Sequence, residues 1–152
     1  MGDGMFTVLR CQRKATRGGG VRVLRLGYAH TKGYRLKQVI TQNQTSGAVI
    51  APQTSVADGM WSRFRGLMLQ KPLEDGEALL IKPCSSVHMF FMRFALDIVF
   101  FDKAGAVVKI VPNLKPWRMA LGGKGAWSAL ELPVGVAAGI SVGDQIAFEG
   151  ES

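Results

Sequence analysis

Leu96-Asp97-Ile98-Val99-Phe100-Phe101, Asp102-Lys103-Ala104-Gly105 and Ala106-Val107-Val108-Lys109-Ile110-Val111 read in succession as strand, turn and strand. Both flanks are rich in β-branched and aromatic residues. The four residues between them carry the chemistry of a type I turn, with Gly105 supplying the left-handed position that closes a hairpin. If the turn closes with a glycine bulge, Asp102 faces Ala106 and Asp97 faces Val111, which leaves Lys109 one diagonal step from Asp97.

Working outward, residues 78–81 and 87–92 read as strands before the hairpin, and residues 127–132 and 145–148 as strands after it. Residues 47–52 read as a first strand stopped by Pro52. A helix is expected next. Ser55 and Asp58 make an N-cap signal, Val56, Met60, Phe64 and Leu67 form a stripe at helical spacing, and Gly66 is a stop. Residues 69–76, with Pro72, Asp75 and Gly76, read as a loop, and so do residues 112–125, which hold two prolines, three glycines and Trp117. Pro133 opens a second short helix that Gly139 closes, and Gly143-Asp144 turns the chain into its last strand. The pattern predicts an α+β, β-dominated roll or barrel of about six to eight short, mostly antiparallel strands with two short helices. Parallel βαβ crossovers would need more helix than these signals supply.

The chain has 152 residues and a formal charge of +8. The charge is local. Residues 1–40 carry nine Lys or Arg (Arg10, Arg13, Lys14, Arg17, Arg22, Arg25, Lys32, Arg35, Lys37) against Asp3 alone, and the remainder is balanced. Residues 1–38 therefore read as a basic arm, extended or poorly ordered because Gly18-Gly19-Gly20 interrupts any regular element, and residues 39–152 as a single β-rich domain. Such an arm offers weak contact to nucleic acid or an anionic membrane through residues 10–37. Met5-Phe6-Thr7-Val8-Leu9 is too short for a secretory core, and Ile98-Val99-Phe100-Phe101 cannot span a bilayer. The reading is a soluble, cytoplasmic monomer with no transmembrane segment. Cys11 and Cys84 form no disulfide framework, and no spacing indicates a metal site or a bound cofactor.

Arg65-Gly66-Leu67-Met68, Val87-His88-Met89-Phe90-Phe91-Met92-Arg93, Leu96 to Asp102, Leu130-Glu131-Leu132-Pro133-Val134-Gly135 and Val142-Gly143-Asp144 together resemble a prokaryotic family, domain of unknown function 192. The likeness spans about residues 40 to 148. It departs at Ala95, where many members have proline, and at Phe91, where glycine or tryptophan is expected. The resemblance implies a small β-rich fold and brings no established activity with it.

Asp97 lies in a segment that is apolar on both faces, so its carboxylate needs compensation. It is a candidate general acid or base, or else one half of an ion pair with Lys109 or Arg93. Cys84 and His88 are candidates for a thiolate–imidazole pair. Four residues along a strand span roughly 13 Å, so only a bend at Ser85-Ser86 would join them. The plainer reading is a small buried cysteine and a strand histidine bonded to backbone. Trp117 in Pro116-Trp117-Arg118 either stacks on a ligand, with Arg118 holding an anion, or closes over the core. Gly122-Gly123-Lys124-Gly125 lacks the spacing and the following Ser or Thr of a phosphate-binding loop. Met60, Met68, Met89 and Met92 read as core filling.

Three functions remain open. No complete set of nucleophile, base and orienting group can be assembled, which favours a module binding a small molecule or protein at a groove near His88, Arg93 and Trp117. The second is an enzyme with a pocket around Asp97 and Cys84, His88 or Arg93. Nucleic-acid or anionic-surface binding through the arm is the third.

Overall fold

A computed structural model describes residues 36–59 and 71–150. The hairpin at its centre forms as expected. β5 (Leu96–Phe101) and β6 (Val107–Leu114) flank a turn in which Gly105 has φ +89° and Asp102 Oδ1 accepts from the N–H groups of Ala104 and Ala106 at 2.8 and 3.0 Å. The Asp102 N–H donates to the Ala106 carbonyl at 2.9 Å, so those two residues do face each other.

The other strands are β1 (Lys37–Asn43), β2 (Ala48–Ala57), β3 (Glu77–Ile81), β4 (Ser86–His88), β7 (Met119–Leu121), β8 (Ser128–Leu132) and β9 (Ile146–Glu149). Seven strands form one curled sheet in the order β6-β5-β8-β3-β2-β1-β9, a half-barrel, while β4 and β7 pair separately. The curl brings the two edge strands together at one corner. Ala106 bridges Gln145, and the N–H groups of Val107 and Ile146 donate to Asp144 and Gly105, each at 2.8 Å. Across the concavity the rings of Phe101 on β5 and Phe148 on β9 lie 5.4 Å apart.

The central strands are buried on both faces, which explains why β5 and β8 show no polar alternation. Val99, Phe101, Leu130, Leu132, Val56 and Ile146 fill the concave side with residues from every part of the sheet. Leu79, Ile98, Phe100 and Ala129 point to the convex side, where Val87, Met89, Met92 and Ala120 from the β4–β7 region cover them. Met89 and Met92 are core residues, as expected; Met60 and Met68 lie outside the described residues.

Several expectations are corrected. Pro52 does not stop the first strand: β2 runs through it, because the β1–β2 register shifts there, from Val39↔Thr54 to Thr41↔Ala51, and pairing with β3 begins only at Gln53. A proline at such an irregularity forfeits no ladder bond. Ser55 caps no helix. Ser55 and Val56 belong to β2, with Val56 buried opposite Leu80 of β3; the remainder of the predicted helix, residues 60–67, lies outside the described residues. The β2–β3 pair is parallel, an exception within the otherwise antiparallel sheet. The second predicted helix is one 3-10 turn, Val136–Gly139, entered from Gly135 at φ +98°. Thus no α-helix is found among the described residues. Residues 112–125 are not one loop, since β6 extends to Leu114 and β7 follows Trp117-Arg118. The strand expected over residues 87–92 is only the short β4, after which the backbone bends at Met89.

Candidate functional site

Asp97 is 2% exposed on β5, facing the concave side opposite Leu132. Its carboxylate meets neither Lys109 nor Arg93. Oδ1 accepts from the Asn113 N–H at 2.8 Å, and Oδ2 accepts from the N–H groups of Gly135 and Ala137 at 2.8 and 3.0 Å. The expected ion pair is displaced by register. Ile98, not Asp97, pairs with Val111, because the ladder shifts near Phe100 and again opposite Asp97, where Ile98↔Val111 gives way to Leu96↔Leu114. Pro112 and Asn113 bulge out at that shift, with Asn113 at φ +51°, and the bulge aims the Asn113 N–H at the carboxylate. Lys109 sits across from Phe100 and donates Nζ to the Leu121 carbonyl at 2.8 Å. Three backbone donors compensate the desolvated carboxylate and tie β5, the β6 bulge and the 3-10 turn to one side chain.

Cys84, His88, Arg93, Trp117 and Arg118 all lie around the β4–β7 sheet, on the other side of the main sheet from Asp97. Pairing is Ser86↔Leu121, Val87↔Ala120 and His88↔Met119. Alternation buries Val87 and Ala120 against the convex core and turns His88, Met119 and Leu121 outward. Met89 then anchors the tip. It is fully buried, its N–H donates to the Arg118 carbonyl at 2.7 Å, and its carbonyl accepts from the Trp117 N–H at 2.9 Å. Around that anchor Phe90 and Phe91 turn to solvent. His88 stacks on Phe90 with ring centroids 5.1 Å apart, Phe90 lies 6.2 Å from Trp117, and Phe91 meets Trp117 edge-on at 5.1 Å. Trp117 thus does not close over the core. Phe91 and Trp117 have φ of +61° and +62°, a left-handed conformation that glycine adopts freely and a bulky side chain rarely does.

Cys84 is half-buried against the convex core, with its thiol donating to the Ser86 carbonyl at 3.0 Å, whereas His88 faces solvent. Arg93 and Arg118 are exposed beside the aromatic cluster. The structure therefore joins His88 and Trp117 through Phe90 and places Asp97 on the opposite face. The glycine run follows β7 as a turn. Gly122 donates its N–H to the Ser85 carbonyl at 2.9 Å, and its Cα packs so closely on Phe100 that an added methyl would stand 2.7 Å from the ring.

One carboxylate escapes the motif reading. Glu131 on β8 lies between Leu79 and Ile98 on the convex face, is 5% exposed, and has Oε2 without a hydrogen-bond partner. Burial pushes its carboxyl up to about 8. The signal was the same as for Asp97, one acid within the apolar run Ala129-Leu130-Glu131-Leu132. A cleft of about 250 Å³ opens beside the hairpin turn between Asp102, Lys103, Trp127 and Phe148; none of the six predicted site residues lines it. Among the described residues no three His, Cys, Asp or Glu side chains gather where a metal ion would sit, and no helix is long and apolar enough to cross a membrane.

This architecture is shared. A solved structure of a protein of unknown function from Novosphingobium aromaticivorans superposes with a TM-score of 0.69 at 23% identity, covering 85% of this chain and 99% of that one. A solved structure from Sinorhizobium meliloti, described as that of a "putative transcription regulator", gives a TM-score of 0.65 at 21% identity, covering 78% and 98%. By sequence, the chain is 36% identical over 116 residues to a UPF0127 protein of Thermococcus sibiricus, covering 72% of this chain and 74% of the relative. A UPF0127 protein of Pyrococcus furiosus is 34% identical over 113 residues, covering 70% and 95%. At 23% and 21% identity the two solved structures show the fold alone, and the names of the two relatives assign no specific function. The profile of the family described as "Uncharacterized ACR" matches residues 40–148, and with that span the chain belongs to the uncharacterised family domain of unknown function 192.

Proposed function

We propose that this protein is a binding or accessory module that engages its partner through the outward face of the β4–β7 sheet. One observation carries the reading. Phe90, Phe91, Trp117, Met119 and Leu121 are 40–60% exposed on a single face, and two of them are held at backbone angles that disfavour a large side chain. Backbone strain of this kind costs on the order of 1–3 kcal/mol per residue and is retained where a site needs it. Contiguous apolar exposure is the ordinary mark of an interaction surface.

The enzyme alternative draws less support. Cys84 precedes β4 and His88 ends it, while Asp97 is committed to three backbone donors on the opposite side of the main sheet. We read the chain as a basic arm followed by a single domain, as expected from the sequence except that the domain begins at Lys37, where β1 starts, and the molecule as a cytoplasmic monomer.

Binding of the fluorescent probe 1-anilinonaphthalene-8-sulfonate to the native full-length protein tests the surface. Its aromatic body and sulfonate suit an apolar face beside Arg93 and Arg118. The expected result is a fluorescence rise that Trp117→Ser with Leu121→Ser removes without altering the circular dichroism. Equal probe binding by the double variant would remove this face from consideration.

A further inference from the structure

We propose that the partner of the β4–β7 face is an anionic lipid surface, into whose headgroup region the aromatic tip dips without any segment spanning the bilayer. This rests on the reading of that face as a binding surface and adds the chemistry of its occupant.

Charge is the first argument. Residues 82–95 and 103–130 contain Lys82, Arg93, Lys103, Lys109, Lys115, Arg118 and Lys124 and not one Asp or Glu. Arg93, Lys115, Arg118 and Lys124 are exposed in the segments that frame the aromatic tip. A cationic collar around protruding apolar side chains is complementary to a negatively charged leaflet, with cations at the phosphates and apolar groups below them.

Side-chain shape is the second. Met119 and Leu121 are as exposed as Trp117, and an aliphatic side chain has no flat face for a nucleobase to stack on. His88 and Phe90 cover each other's rings, and Phe91 presses on Trp117. The surface is therefore a poor stacking platform and a suitable interfacial wedge, with tryptophan at the depth this residue favours.

The backbone supplies the third. Partial loss of water on entering a lipid interface costs less where backbone polar groups already have internal partners. At the tip, the N–H groups of Met89, Met92, Trp117 and Arg118 donate to the carbonyls of Arg118, Met89, Met89 and Lys115.

The test uses the full-length protein and vesicles of phosphatidylcholine with about one-third phosphatidylglycerol, compared with phosphatidylcholine alone. Because the basic arm is attracted to anionic vesicles by itself, sedimentation is paired with a readout specific to the face. Tryptophan occurs only at positions 61, 117 and 127, so the arm contributes none. Vesicles with brominated acyl chains should quench the wild type, and Trp117→Phe should remove most of that quenching while binding persists. Leu121→Ser with Met119→Ser should weaken binding at least about 10-fold with the arm intact. Binding without quenching, or quenching unchanged in Trp117→Phe, overturns the proposal by giving the interaction to the arm or another surface. So does absence of vesicle binding combined with Trp117-dependent binding of oligo(dT), or with a Trp117-dependent dimer in sedimentation velocity. A positive sulfonate-probe result with negative vesicles discards lipid and retains the binding face; a negative probe result discards both.

Discussion

Asp97 and Glu131 sit on neighbouring strands, point to opposite faces of one sheet, and solve the burial of a carboxyl group in opposite ways. Asp97 is met by the N–H groups of Asn113, Gly135 and Ala137. Removing it orphans all three donors, so Asp97→Ala is expected to cost on the order of 3–5 kcal/mol by denaturant titration, with Arg93→Ala and Lys109→Ala within about 0.5. A large loss in Lys109→Ala would restore the ion-pair reading. Glu131 has no such donors at Oε2, and its carboxyl titrates near 8 instead of its ordinary 4.5. The folded state binds the proton more tightly than the unfolded chain, so this group's stability is fully present below about 4.5 and is lost as the pH rises through about 8. The loss across that window is on the order of 3–5 kcal/mol. Glu131→Gln, which mimics the protonated form, is expected to flatten the pH dependence of the thermal midpoint; an unchanged slope would assign it to other groups. That Asp97 required compensation was legible from its apolar neighbours. The identity of the donors was not, since backbone N–H groups carry no sequence signature and two register shifts decide which of them arrive.

At the scale of elements, the hairpin was readable because its turn depends on local chemistry alone. Gly105 has φ +89°, and a methyl there would stand 2.5 Å from the Ile146 carbonyl oxygen, so local conformation and the β9 contact both select glycine. Gly105→Ala is expected to lower stability by roughly 2 kcal/mol or more. Gly122→Ala meets the Phe100 ring and should cost a comparable amount, read by the same unfolding transition; stability within about 0.5 kcal/mol of wild type would show that the ring yields freely. The misreadings share one cause: an element's neighbour outweighs its own propensity. Ser55-Val56-Ala57 carries a helix-start pattern yet pairs with Leu79-Leu80-Ile81. The end of β6 and the whole of β7 look like loop because Pro112, Pro116 and the glycines punctuate them, yet each finds a partner strand. Trp117 was singled out for its surroundings, but its role depended on whether it turned inward or outward, which the φ of +62° and the Met89 anchor decide.

Across the whole molecule, β-dominance followed from the spacing of apolar runs, whereas strand order did not, because long-range pairing is set by which faces can be buried together. The concave core is continuous from β6 to β9, and the convex core exists because β4 and β7 cover the central strands. Asn43 ties β1 to the turn that leads into its neighbour β9. Its Nδ2 donates to Asp144 Oδ2 at 2.7 Å, while its Oδ1 accepts from the N–H groups of Thr45 and Ser46. Asn43→Ala should leave Asp144 underpaired and lower stability by about 1–3 kcal/mol in chemical denaturation, with little change in probe binding at the β4–β7 face. Equal loss of both would mean that the two regions unfold as one unit.

β1 is flanked by β2 on one side and β9 on the other. During synthesis, then, an early strand of the sheet keeps one edge unpaired until Ile146–Glu149 has left the ribosome. A nascent chain stalled before Gln145 would present that edge to chaperones, and release of the final strand would be the event that withdraws it.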